Sequence, residues 1–459
     1  MKYLFSVIIT VFLFQCNYSQ GHKIKIKINN LRDTSVLFGY HFRDKLYMLD
    51  SVKLNSKGIG YVTGEKALIP GQYFLYFPNT KSFDILIDED QKFFIRNNAD
   101  EFVSEFKAKG SVSNKLMAAF YKKIDESNKD INRIRLLQTL TKNADSVKIY
   151  KAELDKKFDE QRKLQAEILA GDSKIFFYSW MKSSFEPPLP ENISKKDTAA
   201  ILGYYRDHYL DNIDFSDNRL IRTDNLYRMI NQYLTNIIFP HYDSINRAVD
   251  QIIEKASPDK EMKQFITEHM MGYFAVSKYM THKNVFVHLA EKYYFTGIAD
   301  WVEEEKLKKI RERVQSIKPT MVDQIAPDLE VFRNDMSPFS LHELVADYTI
   351  LFIYEPECGH CREATPQIKK IAEDYWSKGV EVFAMYSLID KPEWDKFIEE
   401  QGLEEWNNVF DPYRTTNFYD LYNVITTPRI FLLDKDKKII LSDVGVEQIR
   451  DFLKLTFKK

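Results

Sequence analysis

Residues 349–370 read TILFIYEPECGHCREATPQIKK. The run 349–354 is short and apolar, the pattern of a buried parallel strand. A turn follows, Glu355-Pro356-Glu357, and then Cys358-Gly359-His360-Cys361. Ala364, Ile368, Ile371, Ala372 and Tyr375 recur on one helical face, so the two cysteines open a helix. A Cys-x-x-Cys pair at the joint between a central strand and a helix N-terminus points to thiol-disulfide chemistry.

That chemistry needs a thiolate. Unpaired N–H groups and the dipole at a helix N-terminus stabilise a negative sulfur. Cys358 is nearest the helix start and is the expected attacking thiol. Cys361, one turn in, is the expected resolving thiol, and the two would form the redox disulfide. His360 between them either favours the Cys358 thiolate when protonated or is a solvent-facing spacer. A client chain also needs a docking edge. Thr427-Pro428 directly precedes an apolar run, 429–433. A cis proline there would leave the Thr427 backbone free to pair with an extended peptide; a plain trans loop proline is the alternative.

The remainder of the chain bounds this reading. Its 459 residues exceed one core, and about two or three domains are expected. A net charge of −2 gives no basic excess for neutralising phosphates, which argues against nucleic acid as a partner. Lys2 followed by a mostly apolar run to Phe14 and a polar tail reads as an export signal, residues 1–19, cleaved after Ser19. Acylation of Cys16, as in a lipoprotein, is the alternative, although Gln15 is bulky for such a site. Periplasm or cell envelope is therefore the expected location. Of the three cysteines, only Cys358 and Cys361 would remain after cleavage. A bridge closing so small a loop stabilises little, so chemistry explains the pair better than stapling.

Residues 20–110 read as β. Ile24, Ile26 and Ile28 alternate with lysines, and further short apolar runs are separated by turns such as Lys57-Gly58 and Pro70-Gly71. An all-β domain, an antiparallel sandwich or small barrel, is expected, with no catalytic constellation. Residues 111–318 read as an all-α middle domain, clearest over 146–170. Its histidines (His208, His241, His269, His282, His288) show no metal-ligand spacing. Pro319 and Pro327 bracket a connector. Residues 322–459 alternate strand and helix, the order of an α/β open sheet.

This last segment resembles the thioredoxin-like fold of exported TlpA/ResA-type thiol-disulfide oxidoreductases. The carriers are Ala326-Pro327-Asp328-Leu329, Cys358-Gly359-His360-Cys361, Pro366, and the run from Thr427-Pro428 to Asp434. The upstream segments are similar to the β-rich and helical domains that precede such modules in the Bacteroidetes type. The resemblance implies Cys358 as nucleophile, Cys361 as resolving thiol and Pro428 as cis-proline. The sequence departs from the family in three places. Glu357 replaces the aromatic before the first cysteine, Ala364 replaces an acid after the second, and Phe352 replaces the buried acid of cytosolic thioredoxins. Glu363 and Glu355 remain as candidate proton-handling groups, each also readable as a solvated carboxylate.

The expected function is exchange of disulfides with exported proteins, without a cofactor and with a membrane electron donor as a further partner. The family context favours a reductant; Cys-Gly-His-Cys favours an oxidising or isomerising pair. A scaffold using the C-terminal domain as a docking platform is the second reading. A zinc site is the third, weakened by the lack of a second cysteine pair.

Overall fold

The computed structural model describes residues 21–101 and 103–458. The segment 1–19 and Cys16 lie outside the described residues. The chain divides after Ile237 into two units. The division falls inside the helical stretch, so each unit holds part of it.

The first unit begins with eight strands: β1 (His22–Ile28), β2 (Thr34–Phe42), β3 (Lys45–Leu54), β4 (Ile59–Gly64), β5 (Gly71–Tyr76), β6 (Ser82–Ile87), β7 (Lys92–Asn97) and β8 (Lys107–Lys109). They form two four-stranded sheets, β4-β1-β7-β8 and β3-β2-β5-β6. Ile24, Ile26 and Ile28 are fully buried, as their alternation with lysine requires. The pairing is not antiparallel throughout. β1 and β7 run parallel, with Ile24 opposite Phe93 and Ile26 opposite Ile95. Their connection is long enough to pass through the other sheet, and a parallel pair needs such a crossover. Two long helices follow, Val112–Leu140 and Ala144–Leu169, capped by Ser111 and Asn143. Buried Asn114 binds both backbone groups of Leu86, accepting at 2.9 Å and donating at 2.6 Å, and so ties the first helix to the sheet edge.

The second unit opens with helices Tyr242–Lys255, Lys260–Val276, Met280–Leu289 and Glu304–Ile317. It continues with seven strands: β9 (Glu330–Arg333), β10 (Pro338–Ser340), β11 (Tyr348–Tyr354), β12 (Val380–Tyr386), β13 (Asn407–Phe410), β14 (Arg429–Asp434) and β15 (Ile439–Ser442). They form one sheet in the order β10-β9-β13-β12-β11-β14-β15. β11 pairs parallel with β12 and antiparallel with β14.

Side chains of β11 alternate between two cores. Ile350, Phe352 and Tyr354 pack with Ile368, Trp394 and Ile449, from helices Gly359–Tyr375, Lys391–Gln401 and Val446–Thr456. Leu351 and Ile353 pack on the other face with Leu329, Phe418 and Tyr422. Burial on both faces explains why the strand is apolar throughout.

The stretch between Pro319 and Pro327 is not a free connector. Ile325 bridges Lys438, and the Asp323 N–H donates to the Ile439 carbonyl at 2.9 Å. The Asp323 carboxylate accepts from the Tyr242 hydroxyl and pairs with Lys438, each at 2.6 Å. Asn284 donates to the Val322 carbonyl at 3.1 Å, and Met280 packs on the β11 core. The preceding helices and the sheet are thus stitched into one body by side chains from both.

Candidate active site at Cys358 and Cys361

Central strand β11 ends at Tyr354, and the chain turns over Glu355–Glu357. The Cys358 N–H closes the turn on the Glu355 carbonyl at 3.2 Å. Cys358 then caps helix Gly359–Tyr375 with extended backbone angles, φ −75° and ψ 118°. Its Sγ accepts from the Cys361 N–H at 3.4 Å, the position an Asp or Ser side chain takes in other helices. The sulfur therefore faces N–H groups that have no partner within the helix. Across from it the Thr427-Pro428 peptide is cis, and the Cys358 thiol donates to the Thr427 carbonyl at 3.2 Å. The ladder between β11 and β14 stops at Arg429, so Thr427 lies beyond it. Its carbonyl is occupied by the thiol.

Both cysteines are free thiols, and they titrate in opposite directions. Burial opposes ionisation of half-buried Cys358. Hydrogen bonds from the Cys361 thiol, the Thr427 side chain and the N–H groups of Cys361 and His360 outweigh it and hold the thiol below its usual range. Cys361 is fully buried. Burial, and the hydrogen bond to Cys358, push its thiol up to about 12. Such a pair presents one activated sulfur and keeps the second protonated beside it.

The remaining candidates separate clearly. Gly359 has open space where a side chain would stand. The His360 side chain is 85% exposed, and its Nδ1 lies 3.6 Å from Glu363, itself 78% exposed. The imidazole thus takes the spacer position; the part of His360 that reaches the sulfur is its N–H. Glu363 lies in solvent. Half-buried Glu355 accepts from the Ser387 hydroxyl at 2.9 Å, and exposed Glu357 pairs with Arg362 at 2.8 Å.

Sequence reasoning missed the floor of the site. Phe352 and Tyr354 stack with ring centres 4.9 Å apart, and the Tyr354 hydroxyl accepts from Trp394 at 2.9 Å. Tyr386 stacks on Trp394 at 5.5 Å. Burial holds the Tyr354 hydroxyl far above its usual range. Beneath Cys361 the protein therefore has stacked aromatic rings and a neutral phenol. The period-two pattern of β11, which sets Tyr354 on the helix-covered face with Phe352, was the available signal.

Residues 321–455 match the Redoxin family, and residues 150–318 match a domain of unknown function, DUF5106. The chain is 34% identical to a domain of a possible thiol-disulfide isomerase from Cytophaga hutchinsonii. That match covers 30% of this chain and 95% of the other, with a TM-score of 0.29. Residues 321–455 form a thioredoxin-like domain of the Redoxin family. A thioredoxin-like protein from Bacteroides caccae is 22% identical over 59% of this chain and 98% of that one, TM-score 0.47. A thiol:disulfide interchange protein DsbE from Chlorobium tepidum, so described provisionally, is 25% identical over 28% and 92%, TM-score 0.26. None of the curated proteins compared matches the chain. The thioredoxin-like domain is the sheet β9 to β15 with its helices. The DUF5106 match runs across the division at Ile237.

Proposed function

We propose that the protein is an exported thiol-disulfide oxidoreductase of the cell envelope that reduces disulfides in exported proteins through Cys358 and Cys361. The observation that carries this is the opposed acidity of two thiols one helical turn apart, the more acidic one lying against Thr427. The Cys358 thiolate attacks a client disulfide. One client sulfur leaves as a thiolate, and a Cys358–client bond forms. Cys361 then gives up its proton and attacks the Cys358 sulfur, releasing the second client thiolate and closing the Cys358–Cys361 disulfide. Two electrons pass to the client, and a dithiol donor at the membrane restores the pair. Thr427 and Pro428 form the edge on which the client chain lies, once the Cys358 proton leaves and the Thr427 carbonyl is released. Gly359 keeps the approach to the sulfur open.

Trapping tests this. A Cys361→Ser chain expressed in its own envelope should accumulate mixed disulfides on a non-reducing gel, and Cys358→Ser should show none. Absence of trapped clients, with no reduction of insulin by the unaltered chain, would favour a scaffold.

A further inference from the structure

Within the second unit, the thioredoxin-like domain and the helices before it enclose a pocket of about 340 Å³. Its charged lining comes from both: Lys283 and Arg313 from helices, Arg429 and Asp443 from the sheet domain. Asp443 is shared, taking Arg429 at 2.7 Å and Lys283 at 3.0 Å. Arg313 is exposed and lies over the Phe286 ring at 4.8 Å. The pocket is therefore lined by three cations and one carboxylate: two of the cations pair with Asp443, and Arg313 donates to the Ala275 carbonyl. The Arg429 Nε is buried with no hydrogen-bond partner among the described residues. An excess of cationic donors in a concave, partly apolar site is complementary to an anion, and guanidinium groups match a carboxylate best.

The pocket's position says where that anion comes from. Ile425, 82% exposed, and Arg429 both line it, and they stand two residues before and two residues after Thr427. The Thr427 carbonyl is 3.2 Å from the Cys358 sulfur. A client chain laid beside Thr427 in extended form projects alternate side chains about 7 Å apart along its length. A residue close to the client cysteine can then enter the pocket while the cysteine meets Cys358.

We propose that this pocket receives an acidic side chain flanking the client cysteine, and so selects clients by charge. The proposal rests on the redox reading above. It gives the helices before the thioredoxin-like domain a role: Lys283 and Arg313 are specificity residues contributed from outside that domain.

The test uses the full reduced chain and two peptides, each carrying one cysteine disulfide-bonded to 2-mercaptoethanol. One has Asp and Glu flanking the cysteine; the other has Asn and Gln. Bis(2-hydroxyethyl) disulfide is the neutral control. Second-order rate constants for oxidation of the Cys358–Cys361 pair are measured by stopped flow. The acidic peptide should react faster than its amide counterpart by roughly tenfold at low salt, and the ratio should fall as salt is added. Arg313→Gln should reduce the ratio to below about twofold, Arg313→Lys should keep part of it, and neither should change the rate with the neutral control. Equal rates for the two peptides, or a ratio that survives in an Arg313→Gln, Lys283→Gln double variant, overturns the pocket assignment and leaves the redox reading standing. Failure of all three disulfides to react removes the redox reading, and the pocket's role with it.

Discussion

Cys358 and Cys361 share a helix start, yet one sulfur meets N–H groups and the other meets stacked aromatic rings. Their reactivities should differ accordingly. Alkylation by iodoacetamide at neutral pH should modify Cys358 at least ~100-fold faster than Cys361, with a Cys358 midpoint below the ~8.5 of a free thiol. Mass spectrometry of the partly modified chain reads the first quantity, and the pH dependence of the rate reads the second. Equal modification of both would contradict the burial of Cys361. The raised Cys361 value also sets a stability trend for the dithiol form. Unfolded, this thiol ionises near ~8.5; folded, it holds its proton up to about 12. Between those values the unfolded state binds fewer protons, so stability falls as pH rises, by at most about 1.4 kcal/mol per pH unit. Cys358 acts oppositely: its depressed value adds stability that is present above ~8.5 and lost as pH falls through the folded value. The measurable quantity is the loss of urea stability between pH 9 and 10 in the reduced chain relative to Cys361→Ala. The variant should lose less.

At the scale of elements, legibility followed how local the signal was. β11 announced itself because six buried residues run consecutively before a turn with Pro356. Helix Gly359–Tyr375 was legible from its one apolar face, although it begins at Gly359 and carries Pro366 inside. β13 escaped notice: it has four residues, two of them asparagines, and is a strand by virtue of its partners β12 and β9. The parallel pairing of β1 with β7 was equally hidden, since register between distant strands leaves no local trace. The same rule holds at the site. Cys358, Cys361 and the Thr427-Pro428 pair are contiguous patterns. Lys283, Arg313, Arg429 and Asp443 are scattered over the second unit and meet only in the folded chain. Asn114 is another such case. It reads as an ordinary helical asparagine, yet it covers the outer backbone groups of Leu86 on edge strand β6. Asn114→Leu removes both bonds and buries the two groups unpaired, at a cost of about 2–4 kcal/mol. Urea unfolding of the full chain followed by circular dichroism should show the loss, and an unchanged midpoint would mean that Leu86 finds other partners.

For the molecule as a whole, the compact unit that holds Cys358 and Cys361 is larger than the thioredoxin-like domain. The family match begins at residue 321, but the compact unit begins after Ile237. Its seam is specific: Tyr242 and Lys438 on Asp323, Asn284 on the Val322 carbonyl, Lys283 on Asp443, and Ser442 on the Thr320 carbonyl at 2.6 Å. Met280 adds apolar contact with the β11 core. A fragment cut at the family boundary, 322–459, loses the helical half of that seam, whereas 238–459 keeps both halves. The shorter fragment should therefore melt about 5 °C or more below the longer one, as loss of at least ~2 kcal/mol at this size implies. It should also lose the preference for acidic peptides while still reacting with bis(2-hydroxyethyl) disulfide, because the Cys358 environment lies wholly within 322–459 and the cations Lys283 and Arg313 do not. Differential scanning calorimetry and the peptide rates on the two fragments give both readings. Equal melting temperatures would show that the helices are merely tethered to the thioredoxin-like domain. The observed side-chain seam predicts instead that they unfold with it in one transition.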